Sequence, residues 1–319
     1  MTLAYLLHFF RFKILHISTK YIWLEKKLLG KDMATPFNHL IGMVSNEIRN
    51  YCYKYGRDMY TGEGALVDLG SWLGSTVVPL AAGLSQNEKA KGNTIHAYDA
   101  FVWYENMTYS ARSTPIRHKY KVGDDFIAEF ELQTAAYSQW IKIHKEDLAQ
   151  VVWDKSPVEY MMIDAMKDWE VALRIVHEFY PCLIPGKAII IHEDFCHHYT
   201  SWIHLIQYRL RDYFEPLPIL KNSSAVAYKC IKPLNNVNEI IGDDFMDFSA
   251  DEVEQAFAYS LLQVSKINKP AVLAAKAMAY RHKGDYLQAK KVLSTIPWAL
   301  RLVNVEVIDA VSTVRKEMS

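Results

Sequence analysis

Acidic residues follow two apolar segments in the middle of the sequence. The run Val158–Ile163 is followed by Asp164, and the run Lys187–His192 is followed by Glu193 and Asp194. If both runs are parallel strands, their carboxyl ends lie at one edge of a sheet and the carboxylates converge there. Such carboxylates repel one another unless a cation neutralises them, and oxygen ligands select a hard ion such as Mg²⁺. The pattern predicts a metal site formed by Asp164, Glu193 and Asp194.

A glycine-containing turn lies earlier in the chain. An apolar run ends at Asp68, and Gly70, Ser71 and Gly74 follow it before a helical pattern begins. Glycines allow the backbone to approach a ligand closely, and a helix N-terminus offers unpaired N–H groups. The segment therefore predicts a ligand-binding loop between a strand and a helix.

Two further acids end strand-like runs. Asp99 follows residues 94–98, and Asp147 follows residues 140–144. In a nucleotide-binding fold, a carboxylate at the end of the second strand can accept hydrogen bonds from ribose hydroxyls. Asp147 is a candidate acceptor for an adenine amino group. The alternative for both is an ordinary acid at a strand end.

In this order the motifs resemble class I S-adenosylmethionine (SAM) methyltransferases, and within them the macrocin-type (sugar) O-methyltransferase group. The resemblance covers residues 60–232 and rests on Asp68-x-Gly70-x-x-x-Gly74, Asp99-Ala100-Phe101, Asp164 and Glu193-Asp194. It implies a SAM-dependent, Mg²⁺-dependent O-methyltransferase that acts on a hydroxyl of a sugar or glycosylated metabolite. With Asp147 added from its position at a strand end, the predicted SAM-binding residues are Asp68, Gly70, Ser71, Gly74, Asp99 and Asp147.

The motifs leave more than one candidate for the catalytic base. The sugar group typically has Asp-Gly-Asp after the fourth strand, but Met166 stands at the second Asp position and cannot accept a proton. A more distant likeness is to catechol O-methyltransferase, in which a catalytic Lys follows the metal-binding Asp by three residues, as Lys167 follows Asp164. Lys167 is therefore the predicted catalytic residue. The alternatives are a histidine or a loss of activity; the candidate histidines are His192, His197 and His198.

Strand-like and helical segments alternate from residue 65 to residue 232. Apolar strand-like runs are found at 65–69, 94–98, 140–144, 158–163, 187–192 and 224–231. Such alternation predicts an α/β fold, a Rossmann-like class I methyltransferase sheet with helices on both faces. The SAM-binding domain is predicted to span 61–235, with a lid-like insertion at 101–138 that is rich in Tyr, Arg and Lys.

Composition limits the partners. The 319 residues contain 36 Lys+Arg and 36 Asp+Glu, and this balance argues against a nucleic-acid surface. The four cysteines show no C-x-x-C spacing, which favours buried thiols in a reducing, cytoplasmic compartment. The expected partner is a small-molecule or glycan acceptor.

Both ends of the chain are predicted to be helical. Residues 1–60 form the N-terminal helical segment, and an apolar stripe within residues 1–30 predicts contact with the domain or a second subunit, or with a membrane surface. Residues 245–319 form a C-terminal helical segment with one tetratricopeptide-like hairpin at 271–296.

Two rival functions remain at this stage. One is a metal enzyme resembling the cephalosporin hydroxylases, which share the loop and a similar acidic pattern. The other is a catalytically inactive scaffold with a methyltransferase fold.

Overall fold

The computed structural model describes residues 37–220 and 222–317. Seven strands form one sheet in the order β3-β2-β1-β4-β5-β7-β6. Strands β1 to β5 are parallel, whereas β7 runs antiparallel to β5 and β6. The strands are β1 Ala65–Leu69, β2 Ile95–Asp99, β3 Ile141–Lys145, β4 Val158–Ile163, β5 Ile189–His192, β6 Phe214–Pro216 and β7 Val226–Cys230.

The α-helices of the described part of the chain fall into three groups along the sequence. The first group is α1 Asn46–Lys54, α2 Val77–Leu84, α3 Glu105–Ala111 and α4 Ile127–Thr134. The second is α5 Trp169–Phe179 and α6 Ser201–Arg209. The third is α7 Val237–Ile241, α8 Ala250–Ser260, α9 Lys269–His282, α10 Tyr286–Thr295, α11 Leu300–Val303 and α12 Val305–Glu317.

The sheet is covered on both faces. Successive side chains of a strand point to opposite faces, and β4 shows the consequence. Met161 and Ile163 belong to a large core shared with α5, α6 and the C-terminal helices. Tyr160 and Met162 belong to a second core shared with α1, α2 and the insertion. The predicted α/β fold is therefore confirmed: the chain has a Rossmann-like, mostly parallel sheet with helices on both faces.

The strand order locates the functional edge. The chain builds β1, β2 and β3 outward and then returns to place β4 on the other side of β1. In open α/β sheets, ligands bind outside the carboxyl ends of the strands at such a reversal. Asp68, Asp99 and Asp164 all lie at the carboxyl ends of these three neighbouring strands, β1, β2 and β4.

Three details differ from the expectation or lie beyond it. The short edge strand β6 gave no sequence signal, because only Phe214 of its three residues is buried. Between residues 37 and 60, α-helical structure begins at Asn46, where the side chain of Ser45 accepts a hydrogen bond from the Ile48 N–H. The predicted apolar stripe within residues 1–30 lies outside the described residues. None of the helices in the described ranges is long and apolar enough to cross a membrane.

Candidate active site at the carboxyl edge of the sheet

Asp68 is hydrogen-bonded to the side chains of two residues of the glycine loop and the helix start. Its side chain is buried at the end of β1, and it accepts hydrogen bonds from Ser71 Oγ at 2.7 Å and Thr76 Oγ1 at 2.6 Å. Burial raises the pKa of Asp68 to about 6, although the two hydroxyls act in the opposite direction. Both carboxylate oxygens are thus used within the protein, so Asp68 and Ser71 shape the predicted cofactor loop.

The two loop glycines have left-handed backbone conformations. The φ angle is +88° at Gly70 and +80° at Gly74. A Cβ atom on Gly70 would lie 2.5 Å from the carbonyl oxygen of Asp164, and one on Gly74 would lie 2.7 Å from Thr134 Cγ2. Side chains are excluded at both positions by conformation and by space. The loop therefore lies directly against the end of β4 and against α4.

Asp99 joins the loop to the end of β2. Its Oδ2 accepts a hydrogen bond from the Trp72 N–H at 2.8 Å, and its Oδ1 accepts one from the Phe101 N–H at 2.7 Å. Trp72 and Phe101 have positive φ angles of +41° and +53°, a backbone conformation that residues other than glycine rarely adopt. Burial raises the pKa of Asp99, and the two N–H donors oppose the rise.

Phe101 belongs to the motif Asp99-Ala100-Phe101, but the donation of the Trp72 and Phe101 N–H groups to Asp99 was not predicted. Their contribution to Asp99 comes from backbone N–H groups, which every residue except proline carries, so the residue type gave no signal. The indole Nε1 of Trp72 is buried and has no hydrogen-bond partner among the described residues. A buried N–H without a partner is unusual, and here it could donate a hydrogen bond to an acceptor atom of a ligand bound at the loop.

The insertion packs against this loop. Phe130 of α4 lies 5.2 Å from Phe101 between ring centroids. Gln133 donates from Nε2 to the Leu73 carbonyl at 2.5 Å and exchanges hydrogen bonds with the backbone of Ile41. Residues 101–138 thereby tie the loop to the N-terminal segment.

Asp147 stands apart from these contacts. It is exposed, and its Oδ1 accepts a hydrogen bond from the Ala149 N–H at 3.0 Å in the turn that follows β3. The structure shows no contact between Asp147 and the glycine loop. Its predicted role toward an adenine amino group stays a prediction.

On the other side of β1, Lys167 lies between two carboxylates. Its Nζ is 2.7 Å from Asp164 Oδ1 and also contacts Asp194 Oδ2. Asp164 follows β4 and Asp194 follows β5, and these strands are parallel neighbours with Ile163 opposite His192. The Lys167 side chain is 43% exposed, so this ion cluster lies at the rim of the sheet.

Burial and the neighbouring charges determine the protonation states of Asp164 and Lys167. Burial raises the pKa of Asp164 to about 7, with Lys167 lowering it and Asp194 raising it. Burial lowers the pKa of Lys167, but the carboxylates of Asp164 and Asp194 outweigh that effect and raise it. Lys167 therefore keeps its proton in this arrangement, which does not favour its predicted role as a base.

Glu193 is the third predicted metal ligand. It is buried, and its Oε2 has no hydrogen-bond partner within the described ranges. Burial and the nearby charges of Asp164 and Asp194 raise its pKa to about 8. The oxygen donors suit a hard cation chemically, but among residues 37–220 and 222–317 no group of three or more Asp, Glu, His or Cys side chains is placed to hold a metal. The predicted Mg²⁺ site is thus unsupported as the side chains stand.

The structure separates the three candidate histidines. His192 is fully buried, where its Nε2 contacts Gln207 Nε2 at 2.8 Å and Tyr180 Oη at 3.3 Å. Burial lowers its pKa to about 3. His192 therefore belongs to the interior behind β5 and cannot reach a ligand at the rim.

His197 and His198 lie at the rim and share a partner. His197 Nε2 is 3.5 Å from Asp194 Oδ1, and both imidazoles contact the carboxylate of Glu306. Glu306 is on α12, more than a hundred residues along the chain. No sequence motif pointed to Glu306, because its contacts with His197 and His198 depend on how α12 packs near the segment that follows β5.

Comparisons with known proteins give low similarities. No protein-family model matches the sequence, and no curated protein matches it. Several solved structures are similar in part, among them the following three. The O-methyltransferase NovP has 15% sequence identity and a TM-score of 0.43, with 58% of this chain and 78% of NovP covered.

The other two resemble the chain less. A fibrillarin/Nop5p complex has 14% identity and a TM-score of 0.35, with 59% and 83% covered. The pyocyanin biosynthetic protein PhzM has 11% identity and a TM-score of 0.33, with 57% and 54% covered. These values are too low to carry an argument about family or reaction. The fold assignment rests on the strand order, and a function must be argued from the residues at the carboxyl edge of the sheet.

Proposed function

We propose that this protein binds SAM beside the glycine loop and transfers its methyl group to a hydroxyl oxygen at the rim formed by Asp164, Lys167 and Asp194. The observation that carries the proposal is the Asp99 carboxylate, which the N–H groups of Trp72 and Phe101 fix at the carboxyl end of β2. An acid in this position suits the paired hydroxyls of a ribose.

The residues present fit such a cofactor. Each oxygen of Asp99 accepts one N–H, so each retains acceptor capacity for a hydroxyl. The buried Nε1 of Trp72 offers a donor without a partner within the described ranges. Asp68 and Ser71 keep the loop in shape, and Gly70 and Gly74 allow the backbone to approach the ligand.

In the proposed reaction, SAM supplies an electrophilic methyl group on a sulfonium sulfur. A carbon–oxygen bond forms, the carbon–sulfur bond breaks with its electron pair going to sulfur, and the acceptor hydroxyl loses its proton. Asp164 receives that proton, since burial raises its pKa to about 7. Lys167 contacts the acceptor as an ammonium group and stabilises the negative charge that develops on the oxygen.

The acceptor class is part of the proposal. A sugar hydroxyl follows from the resemblance to the macrocin-type group rather than from any contact in the structure. A metal has no assigned step, because the three acidic residues are not grouped to hold one. Magnesium dependence is therefore left to experiment.

The proposal is tested by calorimetric titration of the full chain with SAM, once with MgCl₂ and once with EDTA. Transfer is then measured with tritium-labelled SAM and a panel of methyl glycosides of rhamnose, fucose, glucose and galactose. Binding of SAM and a labelled O-methyl product would support the proposal. No binding under either condition would contradict it and favour the inactive scaffold, whereas an oxidised product would favour the hydroxylase-like alternative.

Lys167→Met separates binding from chemistry. We expect turnover to fall by about 10²-fold, while SAM affinity stays within a few-fold, because Lys167 serves the acceptor side. The matched control is Lys187→Met, which removes a lysine paired with Glu63 at the opposite end of β5. Equal losses of SAM binding and turnover in Lys167→Met would contradict the assigned role.

A further inference from the structure

We propose that the C-terminal helix α12 completes the acceptor side of the site, with Glu306 as a positioning residue that holds His197 against Asp194. The inference rests on the proposed function, since it assigns a task to the cluster at the rim. It goes beyond that function because α12 lies outside the segment that carries the predicted motifs.

The contacts of Glu306 form one continuous series. Its Oε1 lies 3.1 Å from His197 Nδ1, and its Oε2 accepts a hydrogen bond from the His198 N–H at 2.9 Å. The same Oε2 is 2.7 Å from His198 Nδ1. The far side of the His197 ring faces Asp194, which in turn contacts Lys167.

The segment that carries His197 is fixed on the strand side as well. The His197 N–H donates to the Asp194 carbonyl at 3.0 Å, and Thr200 Oγ1 donates to the same carbonyl at 2.7 Å. These bonds set the backbone, but they leave the imidazole free to rotate about its own side-chain torsions. The Tyr199 ring packs beside the imidazole at 5.2 Å between ring centroids, and Glu306 adds a polar restraint, because it contacts the ring nitrogen opposite the one that faces Asp194.

The position of Glu306 is itself set by packing. Val307, Ala310 and Val314 of α12 are buried in the main core. Asn304 Oδ1 accepts a hydrogen bond from the Val307 N–H at 3.2 Å and defines where the helix begins. The Glu306 side chain is 18% exposed, so its charge depends strongly on the two histidines for compensation.

The helix offers a matched comparison at its other end. Glu317 pairs with Arg281 of α9 in the same kind of contact between a carboxylate and a cation. Its contacts are with α9, whereas those of Glu306 lead to the rim. A purely structural role for the two ion pairs predicts similar effects when either one is broken.

The experiment compares Glu306→Gln with Glu317→Gln in the full chain. For each variant we would measure SAM affinity, kcat and KM with tritium-labelled SAM and the methyl glycoside panel, and the thermal unfolding midpoint. We expect Glu306→Gln to lower kcat at least about tenfold with SAM affinity within threefold, and Glu317→Gln to leave both unchanged. Glu306→Asp should recover part of kcat, because it restores the charge.

Equal kcat values for Glu306→Gln and Glu317→Gln would overturn the inference. A second measurement does not depend on turnover: the ¹⁵N shifts of the His197 ring in histidine-labelled protein. They should change in Glu306→Gln but not in Glu317→Gln, and unchanged shifts would also overturn the inference. If the wild type neither binds SAM nor transfers methyl groups, the proposed function fails, and the ring shifts still decide whether Glu306 positions His197.

Discussion

The two sides of β1 hold their acidic residues in different ways. On the side of the glycine loop, Asp68 and Asp99 accept hydrogen bonds from hydroxyl and backbone N–H groups, which are neutral donors. On the side of β4 and β5, Asp164 and Asp194 are balanced by Lys167 and His197, which are cationic or can become so.

Because of this difference, the carboxylates beside the glycine loop are held in one position, whereas the ion cluster beside β4 and β5 can adjust. Neutral hydrogen bonds from a tight turn hold a carboxylate in one place, which suits the binding of a cofactor. A charge cluster with an exposed lysine can rearrange when an acceptor arrives and when charge develops on it. Under the proposed function, the same residue type, an acid after a strand, would serve two purposes depending on its partners.

The largest effect should come from disturbing the fixed side at Gly70. Gly70→Ala places a Cβ against the Asp164 carbonyl at a φ of +88°, so we expect a loss of roughly 3 kcal/mol or more in the free energy of unfolding and no measurable SAM binding. Urea unfolding and calorimetry measure both.

Gly92→Ala is the control for Gly70→Ala. Gly92 has a φ of +83°, yet nothing lies within 4 Å of an added Cβ. Its free energy of unfolding should fall by only about 1 kcal/mol, because the added Cβ strains the backbone but meets no neighbouring atom. Equal losses in the two variants would show that close approach to β4 is unimportant and would break the comparison.

An intermediate effect is expected at Asp99. Asp99→Asn removes the charge and one of two backbone acceptors, so SAM affinity should fall about tenfold while the transfer rate at saturating SAM changes less. Asp125→Asn is the control, because Asp125 also accepts a backbone N–H, from Ile127 at 2.9 Å, but is a surface residue. If the Asp99→Asn protein is folded and binds SAM with unchanged affinity, Asp99 does not take part in cofactor binding.

The smallest effect is expected at His204, a buried residue of α6, and it concerns the pH dependence of stability. His204 of α6 is fully buried with no partner for either ring nitrogen within the described ranges, and burial lowers its pKa to about 3. Because the folded state resists protonation more than the unfolded state does, stability is present above pH 6.5 and is lost progressively as the pH falls toward 3.

His204→Phe should reduce this acid sensitivity. Between pH 7.5 and pH 5, the loss in free energy of unfolding should be smaller than in wild type by on the order of 1–2 kcal/mol, because the buried group no longer titrates. The phenyl ring suits the site, since His204 already packs against Phe195 and Phe257. The control is His118→Phe at an exposed position of the insertion. An unchanged pH dependence in His204→Phe would contradict the assignment.

Much of the sheet was predictable because each strand has a local signal. The buried run from Val158 to Ile163, which is apolar except for Glu159, and the Asp that follows it are recognisable in the sequence, since a strand covered on both faces is mostly apolar. The edge strand β6 and the start of α1 were not predictable in the same way. A three-residue edge strand has too few buried positions to leave a pattern.

The positions of five acidic residues at the sheet edge were predictable, but the groups that they contact were not. Asp68, Asp99, Asp164, Glu193 and Asp194 do end neighbouring strands, as their spacing indicated. The donors to Asp99 are backbone groups, and Lys167 turned out to lie between two carboxylates. Glu306 could not be found at all, because its partner His197 is distant along the chain and no motif links them.

The sequence by itself determined the alternation of the longer strands and helices, the glycine turn, and the row of acids at the carboxyl edge, because periodicity and turn chemistry act over a few neighbouring residues. Only the tertiary structure decided how each acid is neutralised. Hydrogen bonds and ion pairs depend on distances of about 3 Å between segments far apart in the chain, and packing of the helices on both faces of the sheet sets those distances.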